Sequence, residues 1–336
     1  MKRPGTEQER MRAVVMEGTG GPEVLHVREV TRPRPGPEEL LVRVRASALN
    51  RADLQLRAGE FPLPSGMTPI LGVEVAGEVV DLGADVRGFE RGQRVAGLVN
   101  GGGYAEYCVL DHRMALPVRA GESFTHAAAL PEALVTADEV LFELGQLRAG
   151  QSVLVHAGGS GMGSMCLQMA HHAGATVYFT VSTEERLRRA RELGGDVGIL
   201  RATEDFASAV LRHTQGAGVD VVVDFAGGAT LARNLQALKT GGCLVLVGLL
   251  EGERAELDVE AVVMRRLQLK GTAFRGRPLN EKRAITHRAW ARWGPELEAG
   301  RVRPVVDSVF PFERVADAHR HMADGTHFGK ILLALE

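Results

Sequence analysis

Ser152-Val153-Leu154-Val155-His156-Ala157-Gly158-Gly159-Ser160-Gly161-Met162-Gly163 is the stretch whose reading decides the fold. An apolar strand runs directly into a glycine-rich turn, and the text beyond it reads as a helix to Ala173 that stops at Gly174. Strand text resumes at Thr176 to Val181, and Ser182, three residues before Glu185, reads as the cap of a second helix that runs to about Leu193 and ends at Gly194-Gly195. Val219 to Phe225 is almost continuously apolar, as is Cys243 to Val247, the pattern of strands covered on both faces. Strand, turn and helix thus alternate as in a doubly wound parallel α/β sheet.

Working backward, Arg12 to about Ala115 consists of short β-branched runs broken by Gly and Pro, such as Leu40 to Ala46 and Val73 to Val80. This is the texture of an antiparallel barrel or sandwich. Arg32-Pro33-Arg34-Pro35-Gly36-Pro37 cannot continue a ladder and is read as a connection. Working forward, helical text returns near Arg283, and Gly329 to Ala334 closes the chain with a strand. The first ten residues carry little to bury and are expected to be a flexible tail.

Composition narrows the classes. A length of 336 residues suits two domains, and a net charge of -2 supplies no general attraction for nucleic acid or anionic lipid. Without an apolar run of about 18 residues or a secretion signal, no membrane association is expected, and the cytoplasm is the default compartment. Cys108, Cys166 and Cys243 are scattered in apolar text and read as buried thiols, neither a disulfide framework nor a metal site.

The glycine turn offers backbone amides and a helix N-terminus to a pyrophosphate, which makes a dinucleotide the expected ligand. Gly158, Gly161 and Gly163 allow close approach, with Met162 among them. Ser160 replaces the usual second glycine, and its hydroxyl can donate to a phosphate oxygen. At the end of the next strand an acidic residue would select a ribose 2'-hydroxyl; Ser182 stands there instead, and Arg186 follows at four residues without an acidic partner at helical offsets. That pair favours a 2'-phosphate, hence NADPH, against the alternative of a solvated arginine weakened by Glu184 and Glu185. His156 reads as a strand-end residue near the ligand, not as a general acid.

Ser47-Ala48-Leu49-Asn50-Arg51-Ala52-Asp53, Gly72 to Gly77, Gly101 to Tyr107 and the glycine turn together resemble the medium-chain dehydrogenase/reductase superfamily, from about Arg12 to Leu335. Ala128 to Ala133 and Gly216 to Asp220 resemble its zinc-free quinone oxidoreductase branch, which includes zeta-crystallin. The resemblance implies a GroES-like β-barrel catalytic domain from residues 1–133 and 277–336, and a Rossmann NADPH-binding domain from 134–276, with the cofactor between them. It implies hydride transfer to a quinone or related enone. The zinc enzymes of the superfamily have a ligand cysteine at the position of Asn50 and a ligand histidine at Val73; both are missing, so no metal is expected. Carried over by position, Asn50, Asp53 and Thr136 are the expected catalytic residues, and Asn50 and Thr136 meet the nicotinamide. Gly248 and Leu249 pass the carboxamide with Phe274 beside them, and a lysine of the branch matches Arg186. Phe61 and Phe274 border the substrate, Phe61 replacing a common tyrosine. Arg201 replaces another tyrosine near the phosphates. Each polar residue could instead serve a cap or turn. The resemblance also implies a homodimer, with Cys243 to Leu249 and Leu257 to Val263 offered as an edge. Three alternatives stay open: an NADPH-dependent 2-alkenal or enone double-bond reductase, a dinucleotide-binding structural or regulatory protein without turnover, and a zinc-dependent alcohol dehydrogenase.

Overall fold

The computed structural model describes residues 9–63 and 67–335. It falls into two compact units, residues 1–132, 282–287 and 306–336 in the first, and 133–281 and 288–305 in the second. The first boundary falls one residue before that expected. Residues 277–281 and 288–305, assigned from sequence to the first domain, cluster with the second; Arg292 and Trp293 both bond Asp138 there, at 2.6 and 3.1 Å.

In the first unit, β1 (Arg10–Met16) and β2 (Leu25–Thr31) form an antiparallel hairpin. The tail expected over the first ten residues lies, up to residue 8, outside the described residues; Arg10 itself is paired with Thr31. Then come β3 (Glu39–Ala48), α1 (Arg51–Ala58), β4 (Glu74–Leu82), β5 (Arg94–Leu98), β6 (Tyr107–Asp111), β7 (Ala115–Pro117) and α2 (Phe124–Ala128). The prolines of residues 32–37 do connect strands, as read. Two late strands, β14 (Val306–Pro311) and β15 (Lys330–Ala334), join this sheet in the order β14-β15-β3-β4-β5-β7, with β6 also on β3; α10 (Val315–Asp324) lies between them in the chain. Alanines at 46, 48, 76 and 96 keep one sheet face low enough for Ala127 and Ala128 of α2 to pack directly upon it.

In the second unit, α3 (Pro131–Asp138) continues through a π-helical stretch, Glu139–Leu144, into six parallel strands. These are β8 (Ser152–Val155), β9 (Thr176–Val181), β10 (Val197–Leu200), β11 (Val219–Asp224), β12 (Leu238–Leu246) and β13 (Gln268–Gly271). Helices α4 (Gly161–His172), α5 (Glu184–Glu192), α6 (Phe206–His213), α7 (Leu231–Ala237) and α8 (Val259–Met264) alternate with them, and α9 (Leu279–Glu298) follows. Their spatial order, β10-β9-β8-β11-β12-β13, reverses direction at β8 and makes a topological switch point between β8 and β11. All six residues of β11 are buried, and Leu154, Val222 and Leu244 meet Phe206 and Val210 in one cluster.

Two readings are corrected here. Thr183, not Ser182, caps α5: it is extended and its hydroxyl accepts from the amide of Arg186. The segment from Cys243 is no edge, because β12 has β11 on one side and β13 on the other; β13 is the edge strand. Cys108, Cys166 and Cys243 are buried free thiols, the first two pushed up to about 12 by burial. Among the described residues, no helix is long and apolar enough to cross a membrane.

Candidate active site

Because the strands of the second unit are parallel, every loop leaving a strand end emerges on one side. The residues expected to hold a dinucleotide leave from those ends: the glycine turn after β8, Ser182 and Arg186 after β9, Arg201 after β10, Gly248 and Leu249 after β12, and Phe274 after β13. Thr136, half-buried on α3, and Asn50, which precedes α1 in the first unit, are the exceptions.

The glycine turn is built from its hydrogen bonds. Ala157 takes the left-handed conformation at φ 51°, so the strained position falls on an alanine. The amide of Gly158 donates to Thr180 O at 2.9 Å, that of Ser160 to Ala157 O, and that of Gly163 to Ser160 Oγ at 2.9 Å. Gly159, Gly161 and Met162 keep amides with no protein acceptor among the described residues, at the N-terminus of α4 where the helix dipole favours an anion. Ser160 Oγ accepts and so retains its own hydrogen to donate. Gly163 must lack a side chain, since a Cβ there would collide with the carbonyl of Ala157. The turn thus presents amide donors at Gly159, Gly161 and Met162 and a hydroxyl at Ser160, while Gly158 lies against Phe179.

Residues that sequence reasoning missed hold this turn. Asp224 closes β11, is wholly buried, and accepts from the amides of Ala226 and Gly227, from Thr230 Oγ1 and from Asn234 Nδ2. Asn234 Oδ1 lies 2.8 Å from His156 Nε2, and His156 Nδ1 lies 3.1 Å from Thr180 Oγ1, which also accepts from the amide of Ala157. Burial holds His156 below its usual pKa, and the pairing fits a neutral ring with its proton on Nε2. Both ring nitrogens are engaged inside the protein, just beyond the end of β8. The aspartate ending an apolar run was the one available signal.

After β9, Arg186 Nη1 donates to Ser182 Oγ at 2.7 Å, so the guanidinium is not uncommitted as its helical offsets suggested, but is drawn to the serine. Arg201, exposed, lies 3.7 Å from Glu251, an ion pair open to solvent and therefore weak. Gly248 has no room for a Cβ beside the carbonyl of Phe225; Leu249 is 43% exposed and Phe274 half-buried.

In the first unit Asn50 precedes α1 as its cap residue, and its amide N donates to Asp53 Oδ2 at 2.8 Å. The Asn50 side chain turns instead to a buried ion pair: Lys330 Nζ donates to its Oδ1 at 2.7 Å, while its Nδ2 donates to Glu74 Oε1 at 2.9 Å. Lys330 meets Glu74 at 2.5 Å, and Glu132 is 3.8 Å away. Burial alone would lower the Lys330 pKa, but these carboxylates outweigh it and the net shift is upward. Asp53, expected beside Asn50 in a ligand-facing floor, lies wholly buried behind it, accepting also from Tyr104 Oη and the amide of Gly72; burial raises its pKa to about 6. Its carboxylate holds the turn, its oxygens engaged by the amides of Asn50 and Gly72 and by Tyr104 Oη. Phe61, half-buried itself, follows α1 between exposed neighbours. Lys330, Glu74 and Tyr104 were not singled out from sequence. Among the described residues, no three His, Cys, Asp or Glu side chains converge to hold a metal.

Residues 36–120 match the family model for the alcohol dehydrogenase GroES-like domain, and residues 161–289 match that for zinc-binding dehydrogenase. The chain is 34% identical to a quinone oxidoreductase of Pseudomonas aeruginosa, over 94% of this chain and 96% of the relative. The chain belongs to the medium-chain dehydrogenase/reductase superfamily. Within it, a 2-haloacrylate reductase of Burkholderia sp is 32% identical over 96% of this chain and 98% of the relative. The synaptic vesicle membrane protein VAT-1 homolog of Mus musculus is also 32% identical, over 96% of this chain and 83% of the relative. Among solved structures, the Escherichia coli quinone oxidoreductase complexed with NADPH superposes with a TM-score of 0.88 at 26% identity, covering 96% of this chain and all of that one. The fold is the GroES-like and Rossmann pairing of medium-chain dehydrogenase/reductases, and the protein is an oxidoreductase of that superfamily.

Proposed function

We propose that this oxidoreductase is a zinc-independent NADPH:quinone oxidoreductase that acts on quinones or related electron-poor enones. The observation that carries the cofactor assignment is the Ser182–Arg186 pair where an acidic residue would select NADH. In the second unit, the amides of Gly159, Gly161 and Met162 and the hydroxyl of Ser160 would hold the pyrophosphate, and Arg186 the 2'-phosphate. Arg201 is close enough in sequence to the end of β10 to add charge. The backbone at Gly248 and Leu249, with Phe274 and Thr136, would border the nicotinamide. Bound NADPH would supply a hydride from C4 of its ring. In the first unit, Asn50 offers an amide donor to the acceptor's carbonyl oxygen, and orientation carries most of the rate because a quinone takes hydride readily.

The names of the quinone oxidoreductase and 2-haloacrylate reductase relatives support this acceptor class, and the latter favours reduction of an activated C=C bond as a second reading. Steady-state oxidation of NADPH and NADH with a panel of quinones and enals tests both. Turnover with quinones supports the first, turnover confined to enals the second, and no NADPH oxidation with either class overturns the proposal.

The protein is further proposed to be a homodimer paired through the β13 edge. Val259, Val263 and Met264 on α8 are 62%, 64% and 70% exposed, and Leu249 and Leu250 are exposed too, an apolar set that a second copy would cover. Sedimentation showing only monomer would remove this assignment.

A further inference from the structure

A lysine with 4% exposure belongs in a protein interior only if its charge is met, and Lys330 is met on two sides. Register puts it there. β15 pairs antiparallel with β3, Leu332 opposite Ala48, and the amide of Leu49 donates to Ile331 O at 2.9 Å. Two residues further along the same register, Lys330 comes opposite Asn50, and its ammonium reaches Oδ1 of that residue. Glu74, wholly buried at the start of β4, completes the cluster. Its Oε1 accepts from both Lys330 and Asn50, and its Oε2 accepts from the amide of Glu132 at 2.9 Å. Both carboxylate oxygens are therefore fixed.

The chemistry of these partners leaves the carboxamide one orientation. An ammonium has hydrogens only to give, so it selects Oδ1; a carboxylate only accepts, so it selects Nδ2. Rotating the amide by half a turn would set N–H against N–H and oxygen against carboxylate. Nδ2 carries two hydrogens and only one is used by Glu74, leaving the second without an acceptor among the described residues. Donation into Oδ1 by a cation also withdraws electron density from the amide, which strengthens the remaining N–H as a donor.

We propose that Lys330, acting with Glu74, is a positioning residue that locks the Asn50 carboxamide and polarises its second Nδ2 hydrogen toward the carbonyl oxygen of the electron acceptor. The assignment rests on the reductase reading given above. When a hydride adds to the acceptor's carbon, the π-electron pair moves onto the carbonyl oxygen, and that oxygen carries the negative charge until solvent protonates it. The Asn50 N–H is the group that answers this charge, and Lys330 keeps it aimed. Lys330 itself touches neither acceptor nor cofactor.

The test compares three forms with the parent: Lys330→Met paired with Glu74→Gln, which removes both charges and still gives Asn50 Nδ2 an amide acceptor; Asn50→Ala; and all three substitutions together. With NADPH and 1,4-benzoquinone, the charge-pair variant should lose about ten- to hundredfold in kcat with its KM for NADPH within about twofold of the parent. Adding Asn50→Ala should then cost nothing beyond Asn50→Ala alone. Undiminished kcat in the folded charge-pair variant, or losses that multiply, overturns the proposal. Should that variant fail to fold, Lys330→Arg keeps the charge but replaces a point donor with a planar fork; reduced kcat supports the assignment and parental kcat overturns it. A readout independent of turnover separates this proposal from the reductase reading. Solvent exchange of the Asn50 side-chain amide protons, assigned by their loss in Asn50→Ala, should be slow in the parent and faster in the charge-pair or Lys330→Arg variant. A parent that oxidises no NADPH defeats the reductase reading and with it the acceptor-directed half; equal exchange rates defeat the positioning of Asn50.

Discussion

His156 Nε2 lies 2.8 Å from Asn234 Oδ1, and through Asn234 the turn after β8 is tied to the loop after β11 across the switch point of the sheet. Asn234→Ala would strand a buried imidazole N–H and remove one of four donors to the Asp224 carboxylate. Stability should fall by on the order of 3 kcal/mol, read from urea unfolding, and NADPH should bind more weakly. Parental stability would show that the chain from Asp224 to Ala157 braces nothing.

Gly163→Ala forces a methyl group against the carbonyl of Ala157 at the first turn of α4. Overpacking there should destabilise by about 1–3 kcal/mol and weaken NADPH binding by shifting the amides of Gly161 and Met162. Gly271→Ala is the control, since nothing lies within 4 Å of a Cβ at that position. Thermal melting and NADPH fluorescence titration of both variants check the contrast.

Arg186→Glu should weaken NADPH binding by about 1–3 kcal/mol while leaving NADH nearly unaffected, because only the former carries the 2'-phosphate. Equilibrium titration with both dinucleotides measures the difference. An NADPH affinity equal to the parent's would show the assignment of Arg186 to be mistaken.

Asp53 and His319 give the first unit opposite responses to pH. Burial raises the Asp53 carboxyl from 3.8 to about 6, so the folded chain holds that proton more tightly than the unfolded one. Its contribution to stability is full below about pH 4 and is lost as pH rises through 6. Burial, with Arg57 nearby, lowers His319 from 6.5 to about 3, and its contribution is present above pH 6.5 and lost as pH falls toward 3. Between pH 4 and 7 the parent should therefore lose on the order of 3 kcal/mol that Asp53→Asn does not lose. His319→Gln should resist acid better than the parent below pH 6.5. Melting curves at a series of pH values decide this, and variant profiles parallel to the parent's would refute it.

The β8 strand and its glycine turn were legible because periodicity, glycine and helix onset agree locally. The apolar run of β11 announced a strand covered on both faces for the same reason. Phase within a cap was not legible: Ser182 and Thr183 are both capping types, and only backbone conformation selects the second. The β13 edge was missed since Gln268-Leu269-Lys270-Gly271 is only four residues, too short for its alternation to stand out, and pairs because β12 lies beside it. Arg10 was read as tail because its partner, Thr31, is what makes it a strand. In the site, the resemblance pointed to Asn50 but not to what orients it. Lys330 and Asn50 meet through a register linking positions 280 residues apart, which no local pattern encodes.

That separation also sets an order of events during synthesis. Asn50 and Glu74 leave the ribosome long before β15 does, and the nascent sheet can seat β3 against β4 while the ammonium is still untranslated. Until residue 330 arrives, no ammonium meets the Glu74 carboxylate, so closing the interior around Asn50 leaves a buried charge without its partner. The last strand of the first unit is thus its electrostatic keystone, and a chain cut short before Lys330 would hold the amide but not its aim.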